Sequence, residues 1–227
     1  DGSIKMLREE YPACELVLSE KNIGFGGGNN LGAQRCTGPR ILFLNPDTEV
    51  KADSLVDLIA FMEANPQWGI VGGKIYDGDG ELERSSGKWP TFFSLLLDRV
   101  LDCWRGGAAI LERWAHHHRN HESSREVAWV TGAYLCIDRA LFEQLGGFES
   151  DIFMYYEDVD LCYRSRRAGA AIYFFSGASI IHYRNKAPVA DKSRKSLMRH
   201  GMHGFVQRNY SIWRFPTTRF LLWLSLR

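Results

Sequence analysis

The tightest constraint on this chain is a short, strongly apolar run that ends abruptly in a polar turn: Arg40-Ile41-Leu42-Phe43-Leu44, then Asn45-Pro46-Asp47-Thr48. A short, continuous run of large apolar residues has no solvent face, so it reads as a strand covered on both sides. A helical pattern follows over 54–64, with Leu55, Leu58, Ile59 and Met62 on one face, Asp53 or Ser54 as cap and Pro66 beyond the end. Gly69 to Ile75 repeats the buried-strand pattern. Strands that alternate with helices and must be covered on both faces predict an α/β fold, with a mainly parallel sheet flanked by helices.

The rest of the chain extends that alternation. Ile4 to Glu10 reads as a helix ending before Pro12, and Glu15 to Ser19 as a short strand. Asn22 to Asn30 reads as a glycine-rich turn leading into a helix at Leu31 to Arg35. Asp77 to Gly80 is a turn by composition, Phe92 to Ala115 a helix with a break at Gly106-Gly107, and His116 to Arg125 a polar exposed stretch. Val127 to Ile137 reads as one strand, Arg139 to Leu145 as a helix stopped by Gly146-Gly147, and Glu157 to Ala168 as a further helix. Ala171 to Phe175 and Ser179 to His182 read as two strands. With no repeat and no low-complexity linker, the expectation is a single domain over 1–227, whose 188–227 portion is a basic and then apolar helical extension.

Charge and cysteine usage narrow the partners. Against 28 basic residues stand 27 acidic ones, a net charge of +1, so nothing general argues for nucleic acid. The five cysteines (Cys14, Cys36, Cys103, Cys136 and Cys162) are scattered and never spaced as CxxC, which speaks against a disulfide framework or zinc knuckle and suits a reducing compartment. The opening Asp1-Gly2-Ser3 has no signal-peptide character. No apolar run reaches the roughly 18–20 residues of a membrane span. Phe220 to Leu226, between Arg219 and Arg227, reads as a closing amphipathic helix packed on the domain, with a helix lying on a membrane surface as the alternative.

Several groups of residues have chemical potential. Asp47, directly after a buried strand, stands where open α/β sheets bind ligands, and its carboxylate suits a divalent cation shared with phosphate oxygens; the plain alternative is a turn. Glu157, Asp158 and Asp160 crowd a helix start behind the aromatic run Phe153-Met154-Tyr155-Tyr156. Acids there complement the helix dipole, but the aromatic approach suits a carboxylate tuned as a general base. His182 closes an apolar strand and reads either as a core histidine or as a further metal ligand. The glycines between Gly24 and Gly28 permit close approach of a phosphate, but fit neither the P-loop nor GxGxxG. His116, His117, His118 and His121 lack partner acids and read as structural or solvated.

Taken in order, Asn22-Ile-Gly-Phe-Gly-Gly-Gly-Asn-Asn30, Leu44-Asn-Pro-Asp-Thr48, Trp129-Val-Thr-Gly-Ala133, Gly146-Gly-Phe148, Tyr156-Glu-Asp-Val-Asp-Leu161 and His182 resemble the family 2 glycosyltransferases of GT-A fold, in particular their rhamnosyltransferase-type branch in bacterial cell-surface polysaccharide assembly. The resemblance covers Asp1 to about Arg184 and implies an inverting transfer of a sugar, such as rhamnose, from a dTDP or UDP donor to a glycan or lipid-linked acceptor. It implies Asp158 as the catalytic base, with Glu157 supporting it or orienting the acceptor. It implies Mg²⁺ or Mn²⁺ held by Asp47 and His182, with Asn45 where the family's metal motif has its first acid. Asn22, Gly24, Phe25, Gly26, Asn30, Asn45 and Asp47 would hold the nucleotide and donor sugar, and Trp129, Gly132, Ala133 and Asp160 would border the acceptor. Lys186, Lys192, Arg194 and Lys195 would neutralise phosphate, and acceptor choice would be written between Trp89 and Arg125. The family opens with a strand, a helix and a strand ending in Asp-Asn-Ala-Ser-Ser-Asp-Gly-Ser, whose tail Asp1-Gly2-Ser3 matches, so the resemblance implies that those elements stand outside this sequence and that the fragment alone lacks part of its donor site. A lipid-linked acceptor would place the enzyme in the cytoplasm, peripherally at the inner membrane face. The competing expectation is a non-catalytic carbohydrate- or nucleotide-binding relative. A nucleotidyltransferase would need a glycine-rich triphosphate loop, and none is visible.

Overall fold

The computed structural model describes residues 2–89, 121–183 and 191–210, apart from the side chains of 191–193 and 195. Its centre is a mixed sheet of strand order β1 (Arg40–Leu44), β7 (Tyr134–Asp138), β3 (Trp68–Asp77), β8 (Ala171–His182) and β2 (Thr48–Val50), with β5 (Arg125–Val127) pairing with β8 off that path. A second, small sheet joins β4 (Ser86–Gly87) to β6 (Trp129–Val130). Helices α3 (Ser54–Ala64), α4 (Arg139–Gln144), α5 (Glu157–Arg167) and α6 (Asp191–Asn209) accompany the sheets, and α1 (Ser3–Glu10) and α2 (Gly24–Ala33) precede them.

The expected mixed sheet with flanking helices is present, but the balance of directions differs. Among the described pairs only β3 with β8 is parallel; β1–β7, β3–β7, β2–β8 and β5–β8 are antiparallel. The reason lies in 127–137, expected as one strand. It breaks at Thr131-Gly132-Ala133, and after the turn β7 enters between β1 and β3, antiparallel to both. Conversely, the two strands expected at 171–182 are one, β8, whose pairing with β3 shifts register between Gly73 and Lys74.

Because side chains alternate across a strand, each strand feeds two cores. Ile41, Phe43, Ile70, Leu135, Ile137, Ile172 and Phe174 pack on one face with Phe142 of α4, Leu161 and Cys162 of α5, and Phe205 and Val206 of α6. Val71, Tyr134, Cys136 and Ile180 pack on the other with Leu58 and Met62 of α3. Only a run apolar at every position supplies both layers, which is why β1 and β7 show no polar alternation.

Three local expectations change. Asp53 does stand at the N-cap of α3, but in left-handed geometry (φ 61°) and through its backbone carbonyl alone, with no side-chain bond to the helix; Ser54 Oγ is buried between the Tyr134 hydroxyl (3.0 Å) and the Ser179 amide (2.6 Å) that donates to it. Glu15 to Ser19 is not a strand, and Val17 and Leu18 are exposed, since an extended segment gains a ladder only where a neighbour pairs with it. The glycine-rich "turn" is the helix α2 itself. Gly24 opens it at φ 77° with the Asn22 side-chain oxygen accepting from its amide. By contrast, Gly146 and Gly147 do stop α4 in left-handed geometry, their amides bonding back to Glu143 and Phe142 carbonyls.

The expected helix at 92–115, His116 to His118, Lys186 and the apolar 220–226 stretch lie outside the described residues. His121 is described and buried, its Nε2 accepting from the Ser85 amide at 3.2 Å, which fits the structural expectation. Cys14, Cys36, Cys136 and Cys162 are free thiols. Among the described residues no helix is long and apolar enough to cross a membrane.

Candidate active site

Two of the sequence motifs converge on one turn. At the end of β1, Asn45 donates its amide to the Ala133 carbonyl (3.2 Å), and the preceding residue, Gly132, donates its amide to Asp158 Oδ2 (2.9 Å) at the start of α5. The Thr131-Gly132-Ala133 corner thus ties the Asn45–Asp47 loop to the Glu157–Asp158 helix start. The ring of Phe25 closes over the same corner, where a Cβ on Gly132 would meet it at 2.8 Å.

On the first side of the corner, Thr48 pairs with His182 across β2 and β8, and the Asp47 carbonyl accepts from the Tyr183 amide at 2.9 Å. This register brings His182 Nε2 to 3.2 Å from Asp47 Oδ1 and to 3.2 Å from the Asn45 side-chain amide. Glu83, which sequence reasoning missed, stands with a carboxylate oxygen 3.7 Å from His182 Nδ1. It follows β3 in a polar stretch with nothing to single it out; the Tyr76–Leu82 bridge and the Glu83 amide bond to the Ile75 carbonyl (2.7 Å) fold it back toward the strand ends.

Asn45, Asp47 and His182 fit a divalent cation. Asn45 Oδ1 is buried without a hydrogen-bond partner, a costly state for a carbonyl oxygen. One ring nitrogen cannot both donate to Asp47 and accept from the Asn45 amide; with the asparagine amide turned over, its oxygen, an Asp47 oxygen and the His182 nitrogen present only acceptors to a common point. Oxygen donors with one imidazole suit Mn²⁺ or Mg²⁺, with phosphate oxygens and water as further ligands. Among the described residues no three His, Cys, Asp or Glu side chains gather to hold a metal, so the asparagine oxygen is needed to complete the set.

On the second side, the backbone bends sharply to deliver the acids. Tyr155 and Tyr156 are consecutive left-handed residues (φ 68° and 70°), a conformation that costs an L-residue about 1–2 kcal/mol. Such strain persists only where the surroundings enforce it, and it clusters at functional sites. Immediately after it, Glu157 is 6% exposed and its Oε2 is buried without a partner. Burial, reinforced by the neighbouring Asp158 charge, pushes the Glu157 carboxyl up to about 8. Asp158 is half-buried; burial raises it as well, opposed by hydrogen bonds from the Gly132 and Val159 amides and the Thr131 side chain, which favour its charged form. Two adjacent carboxyls in one low-dielectric pocket do not readily carry two charges, so the pair holds a proton near neutral pH.

Several residues expected to touch substrate have partners within the protein. Asp160 is fully buried and held by Arg164 Nε (2.7 Å), Asn209 Nδ2 (2.7 Å) and Arg208 Nη1 (3.5 Å), because a charge with no water must be paired. Trp129 is 8% exposed and donates to the Lys88 carbonyl at 2.9 Å, within the core rather than on an acceptor surface. Asn30 is locked by both ends of its amide to the Phe148 backbone, at 2.8 Å each. Gly24 and Gly26 make room for protein rather than phosphate: a Cβ on Gly24 would overlap the Phe153 carbonyl oxygen, and one on Gly26 would sit 2.9 Å from Phe148 Cβ. Phe25 donates its amide to Phe153 and stacks edge-on to Phe148. Asn22 is exposed, and its side-chain oxygen accepts from the Gly24 amide at 3.1 Å. Ala133 is buried and serves through its carbonyl. Arg194 is exposed on α6.

Comparison with known proteins agrees with this geometry. Residues 1–146 match the family model "Glycosyl transferase family 2". An N-acetylglucosaminyl-diphospho-decaprenol L-rhamnosyltransferase of Mycobacterium tuberculosis is 27% identical over 95% of this chain and 74% of its own length. Rhamnosyltransferase WbbL of Escherichia coli is 25% identical over 79% of this chain and 68% of its own. Among solved structures, GalNAc-T7 with UDP, GalNAc and Mn²⁺ matches 94% of this chain at a TM-score of 0.63 and 14% identity. A mannosyltransferase of Pyrobaculum calidifontis with GDP-Man and Mn²⁺ matches all of it at a TM-score of 0.56 and 18% identity. This chain spans 41% and 56% of those two chains, which show that the fold is GT-A. With a matched model over more than half its length and the motifs gathered on one turn, this chain belongs to glycosyl transferase family 2.

Proposed function

We propose that this chain transfers rhamnose, with inversion, from a dTDP donor to a hydroxyl of a lipid-linked or cell-surface saccharide. The observation that carries the reading is the half-buried Asp158, aimed by the Gly132 amide and joined through the Gly132–Ala133 corner to the Asn45–Asp47 loop. A base and a diphosphate site on one turn suit a single displacement: Asp158 takes the proton of the acceptor hydroxyl as that oxygen attacks the anomeric carbon, and the nucleoside diphosphate leaves. Glu157 keeps its proton, so the pair carries one charge and that charge stays on Asp158, the oxygen of which is better provided with donors. Asn45, Asp47 and His182 would hold Mg²⁺ or Mn²⁺, which supplies Lewis-acid stabilisation to the departing diphosphate. Glu83 beside His182 Nδ1 keeps the ring oriented with Nε2 toward Asp47.

The rhamnosyl donor and lipid-linked acceptor are taken from the names of the two relatives. A lipid-linked acceptor puts the working enzyme at the inner membrane face. The single carboxylate at the cation set favours a second reading, a non-catalytic nucleotide- or carbohydrate-binding relative. Against it stand the buried Glu157 carboxyl, one oxygen of which has no hydrogen-bond partner, and the strained Tyr155-Tyr156, which a binding module has no need to maintain.

The test is incubation of the full-length protein with dTDP-rhamnose, N-acetylglucosaminyl-diphospho-polyprenol and Mg²⁺ or Mn²⁺, with the product's anomeric configuration read by NMR. A rhamnosylated product of inverted configuration is expected. Metal-dependent dTDP binding without any product, across a panel of nucleotide sugars and saccharide acceptors, would establish the binding relative instead.

A further inference from the structure

Among its described side chains helix α6 contributes no acid or nucleophile to the site, yet it presses on the backbone that aims Asp158. Gly201, buried on α6, lies against the Tyr155 carbonyl: a Cβ there would overlap the Tyr155 oxygen and come within 3.1 Å of the Met154 oxygen. A glycine inside a helix is unfavourable by propensity, so its presence at a contact this close has a packing reason. The same helix reaches the far side of the bend. Asn209 donates to Asp160 at 2.7 Å, Arg208 pairs with Asp160, Asp151 and Glu149, and the Phe205 and Tyr156 rings lie 5.9 Å apart. The Asp160 amide in turn bonds to the Tyr156 carbonyl at 2.8 Å. The left-handed Tyr155-Tyr156 pair is therefore gripped from α6 at its own carbonyl and through the first turn of α5.

We propose that Gly201 is a positioning residue: by seating α6 on the Tyr155 carbonyl it holds the left-handed tyrosine pair and so directs the Asp158 carboxylate at the Gly132 amide. The inference rests on Asp158 as the base, and it deepens that reading by adding a helix remote in sequence to the machinery. An added methyl at position 201 forces either α6 outward or the Tyr155 peptide to rotate, and both turn the start of α5. Gly204, one turn along, is the internal control, because a Cβ there meets only Ile152 Cγ1 at 3.6 Å, an ordinary contact.

The experiment compares Gly201→Ala, Gly204→Ala and Asp158→Asn in the full-length protein. The Gly132 amide resonance, which reports its hydrogen bond to Asp158, is read by NMR alongside thermal melting. The expected result is a Gly132 resonance in Gly201→Ala displaced toward its position in Asp158→Asn, while Gly204→Ala keeps the wild-type position. With dTDP-rhamnose as donor, kcat falls at least about tenfold in Gly201→Ala with the donor KM unchanged, a size in keeping with slight misplacement of a reacting group. A folded Gly201→Ala with a wild-type Gly132 resonance overturns the inference, as does an equal displacement in Gly204→Ala. If Gly201→Ala does not fold, Asn209→Ala is read in the same way, and an unmoved Gly132 resonance in it is equally decisive. Full turnover in Asp158→Asn would remove the base reading alone, since the amide resonance still decides whether α6 aims the carboxylate.

Discussion

The two sides of the Thr131-Gly132-Ala133 corner are built on opposite terms. The Asn45–Asp47–His182 side is made of strand ends and a turn, its side chains set by register: Thr48 opposite His182 is enough to bring Asp47 and the imidazole together. The Glu157–Asp158 side is made of a strained bend, a buried acid with one oxygen unsatisfied and a helix start tied to the Gly132 corner, the Gly147 loop and Asn209. The difference suits the chemistry proposed for the two sides. A cation site needs converging oxygens that diphosphate and water complete, so ordinary turn geometry suffices. A base needs a carboxylate with a tuned proton affinity, which requires burial, and burial requires a framework that offsets its cost.

The contrast is broken most directly by Asp158→Asn. It should lower turnover by about 10²–10⁴-fold, the usual share of a general base, while leaving metal-dependent dTDP binding as it is. Equal loss of binding in a titration of dTDP with Mn²⁺ would show that the two sides are not separable.

Next in size is the framework. Arg164 ties Asp160 to the Leu145 and Gly147 carbonyls, so Arg164→Ala leaves a fully buried carboxylate short of its nearest cation. A loss of about 3 kcal/mol in urea unfolding is expected, the low end for a broken buried pair since Arg208 and Asn209 remain. The exposed Arg139–Glu143 pair, cut in the same way by Arg139→Ala, should cost less than about 1 kcal/mol.

On the turn side, Asp47→Asn removes the carboxylate of the cation set and should weaken Mn²⁺-dependent dTDP binding at least about tenfold, with stability little changed. Asn45→Asp should strengthen it, because the orphaned Asn45 oxygen becomes a charged ligand. Calorimetry that finds both substitutions silent would move the cation site elsewhere.

A change of pH sharpens the comparison further. Glu157 ionises near 4.5 when unfolded and near 8 when folded, so between those values the folded chain holds the extra proton. Stability from this group is complete below about 4.5 and is lost as pH rises toward 8. Glu157→Gln, which cannot ionise, should therefore lose less melting temperature than wild type between pH 5 and pH 8. Parallel melting curves for the two proteins would show that Glu157 is not buried with its proton.

Reading the chain alone singled out residues on both sides of the candidate site, because each is announced by local chemistry. Leu44-Asn-Pro-Asp-Thr48 is a strand end followed by turn formers, and Tyr156-Glu-Asp-Val-Asp-Leu161 packs acids into a first helical turn. Within each motif, however, the division of labour stayed hidden. Asp158 and Asp160 are both acids at a helix start, yet one faces Gly132 at the corner and the other faces Arg164 and Asn209 in the interior. Glycines at Gly24 and Gly26 suggest room for phosphate from composition, and structurally they make room for Phe153 and Phe148. The strand expected over 127–137 is apolar apart from Thr131-Gly132, and its reversal depends on where β6 and β7 find partners.

What the sequence by itself determined is therefore the set of elements with strong local signals: the buried strands at 40–44 and 69–75, the helices at 54–64 and 157–168, and the acids and histidine at their ends. Those signals are periodicity, capping chemistry and turn composition, all of which act within a few residues. Tertiary structure alone decided the direction of β7, the burial of Trp129 and Asp160, the arrival of Glu83 beside His182 and the seat of Gly201 under Tyr155. Each of these depends on a partner tens of residues away. Whether a given carboxylate is an open base or a buried brace is set by the water and the charges around it, and that surrounding exists only once the distant segments have packed.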